Sequence, residues 1–167
     1  MMNKVLNIID KTSKWTGYGA SFLVLGMLAV LMTEVILRYI FQAPTLWAHE
    51  MSGFLFGAYF TIAGAYVLLI DGHVSIDLIY GRLSKKQKAI LDICTFIFFV
   101  LMCITLIWYG GSSAVNAWDT GEKSQSVWGP PLAPVRTMLP IGASLLLLQG
   151  LAKLIRNIYT LVVRESS

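Results

Sequence analysis

In a chain this apolar, metal, haem or proton chemistry would need histidine, cysteine or carboxylate side chains, and their spacing decides what they can do. The two histidines, His49 and His73, are separated by an uncharged run that reads as one helix. Twenty-four residues at 1.5 Å put them about 36 Å apart, so they cannot hold one haem between them. Cys94 and Cys103 are nine residues apart on another such run. Nine steps of about 100° place them on opposite faces and roughly 13 Å apart along the axis, beyond disulfide reach. They read as small apolar fillers, and no zinc-type spacing surrounds them. Glu34 and Arg38 differ: four residues apart, acid first, they share a helix face in the favourable order. An ion pair near the end of an apolar span is costly, so both groups should need partners. Removing Arg38 alone should strand the carboxylate.

The elements that position these groups follow from composition. Hydrophobic residues make up 56% of the 167-residue chain and charged residues 13%, with a mean hydropathy of +0.68. A soluble domain carries about 25% charged residues and has no interior large enough for this apolar load. The net charge of +4 is dispersed between apolar runs, which excludes a nucleic-acid binder. The expected fold is therefore all-α and integral to a membrane, a single membrane domain over 1–167. About 20 apolar residues cross a hydrocarbon core of about 30 Å. The uncharged runs place four transmembrane helices near 17–37, 48–70, 88–110 and 135–158. Residues 4–15 set Val5, Leu6, Ile8, Ile9 and Trp15 against Lys4, Asp10, Lys11 and Lys14, a spacing that predicts a short amphipathic interfacial helix.

Ten lysines and arginines fall on the side of the termini and of the segment from Arg82 to Lys88, against Arg38, Lys123 and Arg136 on the other. By the positive-inside rule both termini face the cytoplasm. Pro44 forbids helix continuation, and Thr45 can cap the next helix. Ser84-Lys85-Lys86-Gln87 is a capping box that starts the third. Trp47, Trp118 and Trp128 map to the external boundary and Trp15 to the internal one, as interfacial anchors.

Gly53, Gly57, Thr61 and Ala65 recur every fourth residue, a small-residue stripe that admits a close helix partner. Gln149, deep in the fourth span, reads as an interhelical hydrogen-bonding group. Pro140 reads as a kink. Between Glu50 and Asp71 and between Asp92 and Asp119 there is no Asp, Glu, Lys or Arg, and no Gly/Pro pair breaks a helix at the midplane, where secondary transporters usually bind their substrate and ion. There is no phosphate loop and no hydrolase or zinc-protease motif. Neither enzymatic activity nor a cofactor is expected.

At Glu34-Val-Ile-Leu-Arg38-Tyr39-Ile-Phe41, then Trp47-Ala-His-Glu50, then Gly72-His73-Val74-Ser-Ile-Asp77, the sequence resembles the small membrane subunit of TRAP (tripartite ATP-independent periplasmic) transporters. The resemblance continues through Trp128-Gly-Pro130-Pro131, Pro134 and Pro140-Ile-Gly142 to Gln149. It implies a non-catalytic scaffold in the bacterial inner membrane. Its partners would be a large multi-span subunit, which binds sodium and substrate and moves as an elevator, a periplasmic solute-binding protein, and membrane lipids. The substrate would be an organic acid. The candidates for subunit contact are then Glu34, Arg38, Gly53, Gly57, Thr61, Ala65 and Gln149. Those for periplasmic docking are Trp47, His49, Glu50, Trp128 and Arg136.

Two other classes share some of these features. A small four-helix multidrug antiporter would use Glu34 as its proton carrier, but Arg38 beside it favours the charged form and opposes proton cycling. A membrane anchor of a redox enzyme would need the haem histidine pair that this chain lacks. The orientation has a direct test. Reporter fusions after Ser167 and within the Gly121–Ser126 loop should report opposite sides, the former cytoplasmic. A periplasmic C-terminal reporter would reverse the orientation.

Overall fold

A computed structural model describes residues 2–70 and 85–165. His73 with the rest of 72–77, and Ser84 of the capping box, lie outside the described residues. Among the described residues four helices are seen: α1 (Met2–Tyr39), α2 (Ala48–Leu69), α3 (Lys85–Thr120) and α4 (Ala133–Glu165). All four contain stretches long and apolar enough to cross a membrane.

Three boundaries differ from expectation. Residues 4–15 are helical but form no separate interfacial helix, because α1 runs unbroken for 38 residues. No proline interrupts it. Most of its hydroxyls bond back to helix carbonyls, as Thr12 does to Ile8 and Ser21 to Gly17 (3.0 and 3.1 Å), and none of these forces a break. At about 57 Å, α1 exceeds the hydrocarbon thickness by nearly a factor of two. Helix α3 passes its expected end at residue 110, because Gly110 is buried against Leu139 and Pro140 of α4 and does not end the helix. It stops at Gly121, whose φ of 61° lets the Glu122 amide turn back to the Ala117 carbonyl (3.2 Å). Pro140 lies inside α4, which begins earlier and ends later than expected.

The helices do not close into a bundle. Helix α1 packs along α2, α2 along α4, and α4 along α3, with α1 returning to touch α4. The result is an open layer in the order α1, α2, α4, α3. Of the four apolar spans, that of α4 is the most enclosed.

Packing is inverted relative to a soluble protein. The buried apolar side chains are almost all small: Ala20, Ala48, Ala65, Cys103, Ala114, Ala117, Ala143 and Ala152 among them. Large ones such as Phe22, Phe60, Phe98, Trp108 and Tyr109 point outward. In lipid, helices gain nothing by hiding Leu or Phe from an equally apolar solvent, and gain from close backbone approach. Helices α2 and α4 meet backbone to backbone. A Cβ on Gly142 would collide with the backbone carbonyl of Thr61. Gly64 stands nearby, its Cβ position 3.8 Å from Leu146. Gly17 similarly lies under the Tyr66 ring of α2.

This geometry divides the small-residue stripe. Thr61 and Ala65 face α4 or the interior, whereas a Cβ on Gly53 or Gly57 would meet nothing within 4 Å. Gly142→Leu should therefore destabilise the chain by about 1–3 kcal/mol through overpacking, while Gly57→Leu should leave its thermal unfolding unchanged. Comparing the two unfolding curves in detergent checks this; equal losses would contradict the α2–α4 packing.

Candidate functional site

Side-chain hydrogen bonds that join different elements gather towards the two ends of the layer, while hydroxyls between them, such as Thr61, Thr105 and Ser144, bond back to their own helices. At the end carrying the α1–α2 and α3–α4 connections, Arg38 Nε donates to Glu34 Oε1 (2.8 Å), and its Nη2 reaches the same oxygen. The other carboxylate oxygen, Oε2, accepts the Thr45 amide (3.0 Å) and the Thr45 hydroxyl. Thr45 Oγ1 in turn accepts the Ala48 amide (3.4 Å), although the residue at the N-cap position of α2 is Trp47. Glu34 is thus the hub that fixes how the chain leaves α1 and enters α2. The turn itself needs Gln42 at a φ of 51°, a left-handed conformation that few residues other than glycine adopt. The Ala43 amide closes it on the Leu37 carbonyl (2.9 Å).

The α3–α4 connection is a small hairpin-like turn. Lys123 bridges Pro131, the Ser124 amide donates to Pro130 (2.9 Å), and the Leu132 amide donates to Glu122 (3.0 Å). It is tied to the start of α2 by two contacts. The Trp47 and Trp128 ring centroids are 6.5 Å apart, and Ser126 Oγ donates to Glu50 (2.5 Å). Three of the five docking candidates, Trp47, Glu50 and Trp128, therefore share one surface. His49 is exposed beside them. Arg136 turns inward instead, to Glu122 (2.6 Å) and Ser113 (3.3 Å), locking α4 to α3 and its turn.

At the opposite end a network joins α1 to α4. Ser13 donates to Gln149 Oε1 (2.8 Å), Gln149 Nε2 donates to Asp10 (3.2 Å), and Arg156 pairs with Asp10 (2.5 Å) and reaches the Leu6 carbonyl (3.4 Å). Gln149 and Ser13 are 1% and 2% exposed. Gln149 is interhelical, as expected of its position, but its polar atoms are spent inside the chain. Sequence reasoning missed Asp10, Ser13, Arg156, Thr45, Ser113 and Glu122 as partners. One signal was available: Gln149 and Arg156 are seven apart on one face of α4, and Asp10 is the sole acid in the first fifteen residues. No buried side-chain nitrogen or oxygen among the described residues lacks a partner, and none of their His, Cys, Asp and Glu groups clusters as a metal site. Among the described residues these groups hold helices together.

The sequence profile of the family described as tripartite ATP-independent periplasmic transporters, DctQ component, matches residues 27–160, well over half of the chain. The chain belongs to this family. It is a TRAP transporter DctQ subunit: a multi-pass, non-catalytic membrane component of a transporter that works with a periplasmic binding protein. The match runs from inside α1 to near the end of α4 and includes Glu34, Arg38, both connections and Gln149. No curated protein matches the sequence. DctQ membership sets aside the antiporter and redox-anchor readings, and within it Glu34 serves the α1–α2 junction.

Because Glu34 also holds Thr45, the expectation for the ion pair changes. Arg38 is half exposed and its loss leaves Glu34 two donors, so Arg38→Ala should lower the unfolding temperature only slightly. Glu34→Ala should lower it more, and adding Arg38→Ala should bring no rescue. Recovery in the double variant would show that a stranded carboxylate is the dominant defect.

Proposed function

We propose that this DctQ subunit is the immobile scaffold of a sodium-driven organic-acid uptake system in the bacterial inner membrane, with both termini cytoplasmic. The carrying observation is the open layer: four helices whose polar groups are satisfied at the two ends and whose broad faces are apolar and uncovered. Such a layer has the shape of a wall, and a wall suits a partner that must move against something fixed. In this reading the large multi-span subunit carries the sodium and substrate sites, and the small subunit forms one membrane domain beside it. Gly53 and Gly57, open on α2, let a helix of the large subunit approach the backbone closely. The Glu34/Arg38 end of α1 borders that contact. The surface made by Trp47, Glu50 and Trp128, with His49 beside it, would receive the binding protein. Arg136 supports that surface from behind.

The separate requirement for a partner is testable. The isolated subunit in liposomes should show no sodium-driven organic-acid uptake, and uptake should appear only with the large subunit and binding protein present. Gly57→Leu should reduce the yield of the assembled membrane complex severalfold. Transport by the purified small subunit alone would refute the scaffold role.

A further inference from the structure

The residues of α1 nearest its start form a feature that the scaffold role does not use. A shallow groove of about 450 Å³ is lined by Ile8, Lys11, Thr12, Trp15 and Thr16. The helical repeat carries its face on to Gly19 and Phe22. Trp15 and Phe22 are 68% and 72% exposed, and a Cβ on Gly19 would meet nothing within 4 Å, so a shallow trough runs between the two rings along the helix.

The electrostatics of this face are one-sided. Lys4 and Lys11 both lie on it and are exposed. Asp10, the only acid among the first fifteen residues of the chain, is turned to α4, where Arg156 and Gln149 occupy it. The Thr12 and Thr16 hydroxyls already donate to the Ile8 and Ser13 carbonyls, which leaves the Lys11 ammonium as the free donor at the groove. The length of α1 settles the depth. A helix of about 57 Å cannot lie wholly within about 30 Å of hydrocarbon, and its three lysines at 4, 11 and 14 place this end among the headgroups.

We propose that this groove binds an anionic phospholipid, its phosphate on Lys11 with Lys4 adding charge, and one acyl chain along Trp15, Gly19 and Phe22. A small soluble anion would use only the ammonium and leave the apolar trough idle; a zwitterionic lipid offers the same phosphate but brings its own cation beside it, so it gains less from Lys11 and Lys4 than a lipid of net negative charge. The site does not depend on the transport role.

The test uses the full chain in nanodiscs of mixed lipid. Phosphatidylglycerol or phosphatidylcholine carrying brominated acyl chains is titrated in, and quenching of Trp15 is read as the difference from Trp15→Phe. Brominated phosphatidylglycerol should quench Trp15 at about one-fifth the mole fraction that phosphatidylcholine requires, the scale expected for one lysine at an anionic headgroup. Lys11→Gln should abolish that preference while leaving phosphatidylcholine quenching and helicity unchanged. Equal quenching by both lipids would overturn the proposal and mark ordinary annular contact. So would a preference that survives Lys11→Gln. Loss of all quenching on adding the large subunit would also overturn it, showing that this face is covered by protein.

Discussion

The close approach of α2 and α4 at Thr61 and Gly142 sets the distance on which the rest of the layer is built. Nothing larger than a hydrogen fits at Gly142, so the two backbones touch there. Dispersion between them replaces the hydrophobic drive that a bilayer does not offer. With α2 and α4 held together, α1 adds on one side through Gly17 under Tyr66, and α3 on the other through Gly110 against Leu139 and Pro140. Each contact repeats the same device, a glycine on one helix beneath a larger group on the next. A chain of such pairwise contacts makes a layer, since the fully buried apolar side chains among the described residues are small and none draws four helices around a common core.

Polar chemistry then fixes the ends. Glu34 with Arg38 and Thr45 sets the α1–α2 junction, Arg136 with Glu122 and Ser113 sets the α3–α4 junction, and Ser13, Asp10, Gln149 and Arg156 fasten the first helix to the last. Hydrogen bonds are costly to leave unmade in a low-dielectric environment, so these networks impose register where apolar contacts alone would let helices slide. With those groups satisfied internally, the faces of the layer are left for lipid and for other protein.

Much of this was legible from residue types. Uncharged run lengths gave four helices, and the i,i+4 order gave the Glu34–Arg38 pair. Gln149 was recognisable as interhelical because an amide in an apolar span must find a donor or acceptor. What local reasoning could not reach were partners distant in sequence. Thr45 looked like a simple helix cap until the fold set Glu34 beside it. Asp10 looked like part of a polar surface on an interfacial helix, because its partners, Gln149 and Arg156, are more than 130 residues away. The stripe from Gly53 to Ala65 read as one interface, and only the placement of α4 divides it into an inner half and an open half. The family resemblance supplied the biological role, which no residue pattern here dictates.

The open order of the layer is the claim from which the partner-seeking faces follow, and an inter-helix distance tests it most directly. With Cys94 and Cys103 replaced, spin labels at Ser21 on α1 and Thr105 on α3 lie on exposed positions of the two outermost helices. Double electron–electron resonance in nanodiscs, with continuous-wave dipolar broadening to read shorter spacings, should return a separation of roughly 24–30 Å, corresponding to three interaxial steps of 8–10 Å. A distance of about 10–14 Å, that of adjacent or diagonal helices in a closed bundle, would contradict the account.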